Sequence, residues 1–246
     1  MSEIGKFTLA FFCGGLKLNY IDSHIHIASC KNVLEDLKFF ETHNYTAWSN
    51  CQNIFEFNQT CRIQEEINLK FPNVKILKTY GVHPWHVTEV ESDKELNIID
   101  NLLAQKKIDA VGEIGFDCFT PELKQTLDVQ KFFFEAQLDL ALNYNVPVII
   151  HNRKAWDLNF SYWQKLKKLP QVVFHCFAFT KDQALSLLNK NVNAYFSFSN
   201  IKGHKKIEEC IKGLPKERIR LETDAPFNHS SLKEIAEVYE QLNSIC

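Results

Sequence analysis

An alternation of strand-like and helix-like stretches is the feature that most restricts the fold of this chain. Short apolar or β-branched runs recur eight times, and a stretch with helical periodicity follows each of them. The predicted strands are Tyr20–His26, Tyr45–Cys51, Ile76–Val82, Asp109–Ile114, Val146–His151, Val172–Cys176, Ala194–Phe198 and Ile219–Thr223. The predicted helices are Val33–Phe40, Ile54–Leu69, Lys94–Gln105, Leu127–Asn143, Trp156–Lys168, Gln183–Asn189, Lys205–Lys212 and Leu232–Leu242. Eight such units predict an α/β fold, the (β/α)8 barrel of the TIM type.

The length of 246 residues fits one barrel-sized domain. We find no repeat and no Gly/Ser/Pro-rich linker, so we predict a single domain over 1–246. Residues 1–17 form an extension, for which the pattern around Gly14 and Gly15 predicts a short β-hairpin.

Composition limits the classes of partner. The net charge of −2 excludes a generally basic surface, so contact with nucleic acid would depend on local patches or on metal ions. The eight Cys show no paired framework, which indicates reduced thiols and a cytoplasmic protein. No apolar stretch reaches transmembrane length.

The first predicted strand carries His24 and His26, two residues apart. Alternate side chains of a strand lie on one face, so the two imidazoles can bind one divalent ion or two adjacent ions. Asp22 is in phase with them on a regular strand and could orient a ring nitrogen.

Four further polar residues lie at the ends of predicted strands. Glu113 follows Gly112 and precedes a second glycine two residues on, so an ion can approach it closely; a loop Glu in a salt bridge is the alternative. His151 and His175 end consecutive apolar strands, although either one alone could be a satisfied core His. Asp224 follows Glu222 on the eighth strand, which lies beside the first strand in a closed barrel.

Together these residues form a nitrogen and oxygen ligand set that suits Zn²⁺, Mn²⁺ or a similar divalent ion. The six candidate ligands are His24, His26, Glu113, His151, His175 and Asp224. Such ions lower the pKa of water and neutralise a phosphate, and a carboxylate such as Asp224 can take the proton.

At this point the sequence resembles the TatD-type metal-dependent hydrolases, a deoxyribonuclease family of the amidohydrolase-like barrel superfamily. The first motifs that carry the resemblance are Ile21-Asp-Ser-His-Ile-His26, Gly81-Val-His-Pro84, Val111-Gly-Glu-Ile-Gly-Phe-Asp117 and the helix Gln130…Phe134…Gln137-Leu-x-Leu-Ala141. The others are Pro147-Val-Ile-Ile-His-Asn-Arg153, Phe174-His-Cys-Phe177 and Leu221-Glu-Thr-Asp-Ala-Pro226. They span residues 20–227 in the order of the family.

The resemblance implies a role for each matched residue. The first of two divalent ions (Zn, Mg or Mn) would be bound by His24, His26, Glu113 and Asp224. Glu113 would bridge to the second ion, held by His151 and His175. His83 and Glu222 match positions near the substrate or behind the ligands.

The implied activity is hydrolysis of DNA phosphodiester bonds, typically exonucleolytic, by a metal-activated water with Asp224 as base. The expected partner is DNA, preferably single-stranded ends, with no membrane, no organic cofactor and a monomeric protein. The same ligands could instead hydrolyse a small ester, amide or phosphoester, and a non-catalytic metal-binding relative is a third possibility.

Substrate contacts are predicted from residues beside the ligands. Arg153 could pair with phosphate, as could His83 by its family position, and the alternative for Arg153 is a surface salt bridge. A basic cluster at residues 202–206 could track a nucleic-acid backbone or form a solvated face. Five aromatic residues near the mouth could stack on bases or pack against the barrel. They are Trp85, Phe116, Phe119, Phe177 and Phe179.

Three features depart from the family pattern. Only about 20 residues follow Pro226, so compared with the family we expect a shortened C-terminus, with a shorter eighth loop and terminal helix. Trp85 follows Pro84 where the family usually has His, which affects a substrate contact and no predicted ligand. Ala178-Phe179 replaces an expected glycine after Phe177 and could narrow the pocket.

Overall fold

The computed structural model describes residues 18–245, and the predicted hairpin in residues 1–17 lies outside them. Eight parallel strands follow one another in sequence order around one sheet, which confirms the predicted barrel. The strands are β1 (Asn19–Ile25), β2 (Asn44–Cys51), β3 (Val74–Tyr80), β4 (Ala110–Asp117), β5 (Val148–Arg153), β6 (Val172–Phe174), β7 (Ala194–Phe198) and β8 (Ile219–Leu221).

Helices connect the strands and cover the outside of the barrel. They are α1 (Val33–Leu37), α2 (Ile54–Lys70), α3 (Ser92–Ala104), α4 (Pro121–Gln125), α5 (Leu127–Tyr144), α6 (Trp156–Ser161), α7 (Trp163–Leu166), α8 (Lys181–Leu188), α9 (Lys205–Gly213) and α10 (Ile235–Ile245). Short 3-10 turns lie at Ile27–Ser29, Lys38–Phe40, Lys216–Arg218 and Leu232–Glu234. Between residues 18 and 245, none of the helices is long and apolar enough to span a membrane.

The helix pattern differs from the prediction in two places. The single helix expected over Trp156–Lys168 is two short helices, α6 and α7. The additional helix α4 begins after Thr120, whose Oγ1 accepts a hydrogen bond from Leu123 N at 3.3 Å. The predicted helix at Leu232–Leu242 is present as α10, three residues further along the chain. The hydroxyl of its Tyr239 accepts a hydrogen bond from Ile21 N at 3.1 Å.

The barrel closes where β8 meets β1. A backbone bridge pairs Ile25 with Ala225, and Asp224 N donates to His24 O at 2.9 Å. The Asp22 carboxylate adds to this closure by accepting hydrogen bonds from Thr223 N at 2.9 Å and from Thr223 Oγ1 at 2.6 Å. The closure brings Asp224 beside the two histidines of β1.

Two hydrophobic layers stabilise the barrel. The larger one lies between the strands and the surrounding helices. The smaller one fills the interior with side chains from successive strands, and Tyr195 packs at its edge. Its buried members are Trp48, Leu77, Ala110, Ile149 and Val173. His151 and His175 lie two residues beyond Ile149 and Val173, so their side chains are on the same interior face. They lie nearer to the mouth, the end of the barrel formed by the carboxyl ends of the strands.

A register shift in β1 corrects the prediction for Asp22. The pairing of β1 with β2 shifts between Asp22 and Ile25, so strict alternation is broken before His24. Asp22 therefore lies on the side of Tyr45, which donates a hydrogen bond to its Oδ2 at 3.3 Å. It does not orient an imidazole ring, and burial raises the pKa of Asp22 to about 7.

The close approach of β4 and β5 at Gly115 yields a first prediction. Gly115 has φ of +145°, and a Cβ atom there would lie 1.9 Å from the carbonyl oxygen of His151. We expect Gly115→Ala to lower the free energy of unfolding by about 2 kcal/mol or more, because the two strands must separate. Chemical denaturation of both proteins measures this difference.

Gly203→Ala is the matched control, since Gly203 has φ of +85° but no atom lies within 4 Å of the position of its Cβ. It should cost only the conformational strain, about 1 kcal/mol. Equal losses for the two variants would contradict the steric explanation.

Candidate metal centre

All six candidate ligands meet at the carboxyl ends of the strands. They come from β1, β4, β5, from the residue after β6, and from the loop after β8. Glu113 lies at the centre, and its two carboxylate oxygens face different groups of donors. We call these groups the first and the second pocket.

The first pocket contains His24, His26, Asp224 and Oε2 of Glu113. Nε2 of His24 lies 3.1 Å from Nε2 of His26 and 3.3 Å from Glu113 Oε2. Glu113 Oε2 is 3.9 Å from His26 Nε2. Oδ1 of Asp224 is 3.7 Å from His24 Nε2 and 3.6 Å from His26 Nε2. Both imidazoles thus lie within 3.9 Å of a carboxylate oxygen of Glu113 and of Asp224.

The second pocket contains His151, His175 and Oε1 of Glu113. Oε1 lies 3.0 Å from His151 Nδ1 and 2.6 Å from His175 Nε2, and these two nitrogens are 3.3 Å apart. The ring of His175 stacks on that of His24 with centroids 3.9 Å apart, so the two pockets adjoin.

The spacing and chemistry of these donors fit divalent cations. Ligands bound tetrahedrally at about 2.1 Å lie about 3.4 Å from one another, which is close to the spacing of the donors in the first pocket. Groups of three such donors within 4.8 Å include His24, His26 and Glu113, and also His24, His175 and Asp224. Imidazole with carboxylate suits Zn²⁺ or Mn²⁺ better than a cage of oxygen atoms alone would.

The surrounding imidazoles determine the charge of Glu113. Burial alone would raise the pKa of this carboxyl, but His175, His24 and His83 outweigh burial and hold the pKa well below its usual value. The same attraction outweighs the burial of His175 and raises the pKa of that imidazole well above its usual value. Glu113 is therefore ionised, as a bridging ligand must be.

Two other histidines are kept neutral. Burial, together with the neighbouring His24, lowers the pKa of His26 to about 3. Burial also lowers the pKa of His83 to about 4, against the attraction of Glu113. A neutral imidazole has a free lone pair, so His26 can bind a cation without first losing a proton.

Each imidazole of the second pocket has a carboxylate behind it. Nε2 of His151 lies 3.1 Å from Asp117 Oδ2, and Nδ1 of His175 lies 3.5 Å from Glu222 Oε1. Glu222 is fully buried and accepts a hydrogen bond from Cys176 N at 2.6 Å. A carboxylate in this position fixes the orientation and tautomer of a ligating histidine.

Asp224 is held in an unusual backbone conformation. Its φ of +51° lies in the left-handed region, which a non-glycine residue adopts at a cost of about 1 kcal/mol or more. The hydrogen bond of Asp224 N to β1 fixes this geometry, and Asn228 Nδ2 donates to Asp224 Oδ2 at 2.9 Å. The other oxygen, Oδ1, faces the first pocket.

His83 lies beside the second pocket in the loop after β3. Its Nδ1 accepts a hydrogen bond from Trp85 N at 3.1 Å, so the neutral ring carries its proton on Nε2. That Nε2 lies 3.5 Å from Glu113 Oε1. His83 thus presents an N–H group to the site.

The predicted aromatic contacts divide into two sets. Phe116 and Phe177 are buried, and Phe179 packs on Trp156 with ring centroids 5.3 Å apart, so these three rings belong to the packing. Trp85 is 49% exposed and Phe119 is 44% exposed. The guanidinium carbon of Arg153 lies 3.6 Å from the centre of the Phe119 ring, a stacked arrangement that replaces the surface salt bridge considered above.

The basic cluster is exposed at the start of α9. All residues from Lys202 to Lys206 are exposed, and Lys206 Nζ donates to Ala178 O at 2.7 Å in the loop after β6. This contact draws one lysine towards the mouth.

Sequence reasoning missed four residues near the site. Asp117 ends a quoted motif, and a carboxylate at the end of a strand was a signal that could have identified it. Asn228 and the 67% exposed Phe227 follow β8 directly, and the Phe227 ring lies 4.9 Å from that of His26. His229, in the same loop, is buried and pairs with Glu234 at 2.9 Å.

Comparison with known families agrees with this geometry. Residues 21–243 match the model of the family described as TatD related DNase. The match covers nearly the whole chain, so this protein belongs to that family, and it is a metal-dependent hydrolase by its membership.

Similar proteins of known sequence carry related names. An uncharacterized metal-dependent hydrolase, MG009, of Mycoplasma genitalium is 28% identical over 220 residues, covering 85% of this chain and 82% of that protein. A protein of Pantoea ananatis named 3'-5' ssDNA/RNA exonuclease TatD is 34% identical over 152 residues, covering 61% of this chain. The latter alignment spans 57% of the Pantoea protein, less than two thirds of its length.

Solved structures support the fold. The Escherichia coli TatD homologue YJJV superposes with a TM-score of 0.74 at 22% identity, covering 92% of this chain and 90% of that one. A TatD family hydrolase of Entamoeba histolytica gives a TM-score of 0.71 at 20% identity, covering 89% of this chain and 78% of that one.

The protonation of Asp224 leads to a prediction about pH. Burial raises the pKa of Asp224 to about 6, so the carboxyl is ionised at pH 7 and protonated at pH 5. We expect the affinity of metal-free protein for Mn²⁺ to fall as the pH is lowered from 7 to 5, because a cation must displace this proton. One displaced proton gives about a tenfold loss for each pH unit below the pKa.

Isothermal titration calorimetry at several pH values measures this slope. Asp224→Asn carries no titrating carboxyl and should give weaker binding with a shallower pH dependence. Equal slopes in the two proteins would show that Asp224 does not compete for protons and cations.

Proposed function

We propose that this protein hydrolyses phosphodiester bonds of DNA, removing nucleotides from the 3′ ends of unpaired strands with two bound divalent cations. The main support for this proposal is the position of the Glu113 carboxylate between the two pockets. Its Oε2 faces the donors of the first pocket and its Oε1 faces those of the second. Paired cations about 3.5–4 Å apart are typical of phosphatases and nucleases.

The residues that would hold the ions follow from the two pockets. His24, His26 and Asp224 would bind the first ion, His151 and His175 would bind the second, and Glu113 would bridge them. Zn²⁺, Mn²⁺ and Mg²⁺ are the candidates. When bound, such ions lower the pKa of water and neutralise charge on the scissile phosphate.

Asp224 is the general base of this proposal. An ionised carboxylate at the edge of the first pocket can accept a proton from the attacking water, and its Oδ1 faces that pocket. Asn228 occupies one of its oxygens, which keeps the other directed towards the first pocket. The carboxylate is therefore oriented before substrate binds.

His83 is proposed to bind the phosphate. Its Nε2–H faces the second pocket, and its low pKa keeps the ring neutral, so it can donate one hydrogen bond to a phosphate oxygen. Glu222, being buried behind His175, would act by orienting that imidazole.

The mouth offers groups suited to a nucleic acid. Arg153 supplies a guanidinium for phosphate, and it lies on Phe119 without an ion pair among residues 18–245. The exposed rings of Trp85 and Phe227 can stack on bases, which requires those bases to be unpaired. This local arrangement supports contact with nucleic acid although the net charge of the chain is −2.

Polarity and assembly are further parts of the proposal. The Pantoea relative is named as a 3'-5' ssDNA/RNA exonuclease, which supports action from the 3′ end of single strands. We also propose a monomeric active unit, because a single chain supplies every donor of both pockets.

An assay with labelled DNA tests this function. With Mn²⁺, 3′-labelled single-stranded DNA should lose its label as mononucleotides, while 5′-labelled DNA should shorten stepwise. Asp224→Asn should slow the reaction at least about 100-fold, because a general base contributes a factor of that order. Asp128→Asn, which alters an almost fully exposed carboxylate, should retain full activity.

Two outcomes would reject the proposal. One is equal activity in wild type and Asp224→Asn. The other is wild-type protein that is inert on DNA with Mg²⁺, Mn²⁺ and Zn²⁺ alike. Cleavage of a small aryl ester in the same preparation would then favour the small-substrate alternative.

A further inference from the structure

Trp85 and Asp117 form a contact that neither pocket includes. The indole Nε1 of Trp85 donates a hydrogen bond to Asp117 Oδ2 at 2.8 Å. The same oxygen lies 3.1 Å from Nε2 of His151. One carboxylate oxygen therefore receives an N–H group from the loop after β3 and another from β5, while Phe119 N donates to Oδ1 at 2.8 Å.

This arrangement fixes which nitrogen of His151 faces the second pocket. When Nε2 carries the proton that Asp117 accepts, Nδ1 of the neutral ring has a free lone pair. Nδ1 lies 3.0 Å from Glu113 Oε1 and 3.3 Å from His175 Nε2, at the centre of the second pocket. The lone pair is thus directed to the place where a cation would bind.

Trp85 is itself held at two points. Its backbone N–H binds His83 Nδ1, and its ring contacts the rings of His83 and His151 edge to face, with centroids 5.0 Å and 6.1 Å away. The indole N–H can donate a hydrogen bond but cannot accept one. It therefore suits the Asp117 carboxylate as a partner and cannot accept the proton that His151 donates. Phenylalanine would keep the ring contacts and lose only this hydrogen bond.

We propose that Trp85 is a positioning residue for the second cation: through Asp117 it holds His151 with Nδ1 directed into the second pocket. The inference rests on the proposed metal-dependent function. It gives a physical role to the tryptophan that follows Pro84. The effect is confined to the second pocket, because Asp117 contacts His151 and none of the donors of the first pocket.

Titration of metal-free protein with Mn²⁺ tests the inference. Electron paramagnetic resonance of the free ion counts the bound ions and resolves two affinities in wild type. Trp85→Phe should weaken one of the two about tenfold, since partners of this kind change metal affinity about 10–100-fold. The other affinity should stay the same, and Trp163→Phe, a tryptophan on α7, should change neither.

A double-mutant cycle separates positioning from general damage to the fold. Asp117→Asn should weaken the same affinity, and adding Trp85→Phe to it should have no further effect, because the hydrogen bond to the carboxylate is already lost. Two-bond ¹H–¹⁵N spectra of the Zn²⁺-loaded wild type should show the His151 proton on Nε2.

The inference is overturned if Trp85→Phe leaves both affinities unchanged or weakens both equally. It is also overturned if the variant has its full effect in the Asp117→Asn background, or if wild type binds fewer than two ions. Two-site binding with the expected Trp85 effect, but without cleavage of DNA, would reject the proposed substrate and keep this inference.

Discussion

The upper half of the barrel depends on one buried carboxylate, that of Glu113. Five imidazoles lie within 3.9 Å of it, and they supply the electrostatic stabilisation that a buried charge needs. Asp224, Glu222 and Asp117 add three more carboxylates within contact of the same imidazoles. In this structure the imidazoles offset the negative charge of these four carboxylates. Divalent cations bound between the groups would balance that charge.

The closure between β1 and β8 places Asp224, the last candidate ligand in the sequence. Residues about 200 positions apart in the sequence meet there, since Thr223 bonds Asp22 and Asp224 bonds the backbone of His24. The register shift after Asp22 serves two purposes at once. It places Asp22 on the outer side, where its carboxylate accepts a hydrogen bond from Thr223, and it directs the side chains of His24 and His26 into the barrel.

The sequence predicted the barrel because apolar strands and helices alternate along it, a pattern that local periodicity reveals. It also predicted the grouping of His151 and His175, since residues at equivalent strand ends must meet in a closed barrel. It failed for Asp22, because a register shift arises from pairing between strands and leaves no local signal. Neither the exposure of Phe227 nor the packing of Phe177 could be predicted, since both depend on how loops lie over the mouth.

Roles within the site were harder to predict than its composition. From the sequence, Trp85 was a departure from a motif and a candidate for stacking on bases, yet its indole donates a hydrogen bond to a carboxylate 32 residues away in sequence. Contacts of this kind depend on loop geometry. The candidate ligands lie at or beside strand ends, whose positions the sequence pattern predicts, so they could be proposed from the sequence alone.

The most direct test of the central claim is anomalous diffraction from crystals soaked in Mn²⁺. We expect two peaks about 3.5–4 Å apart, one beside each oxygen of Glu113, with His24 and His26 near the first and His151 and His175 near the second. A single peak, or peaks that do not lie beside Glu113, would contradict it.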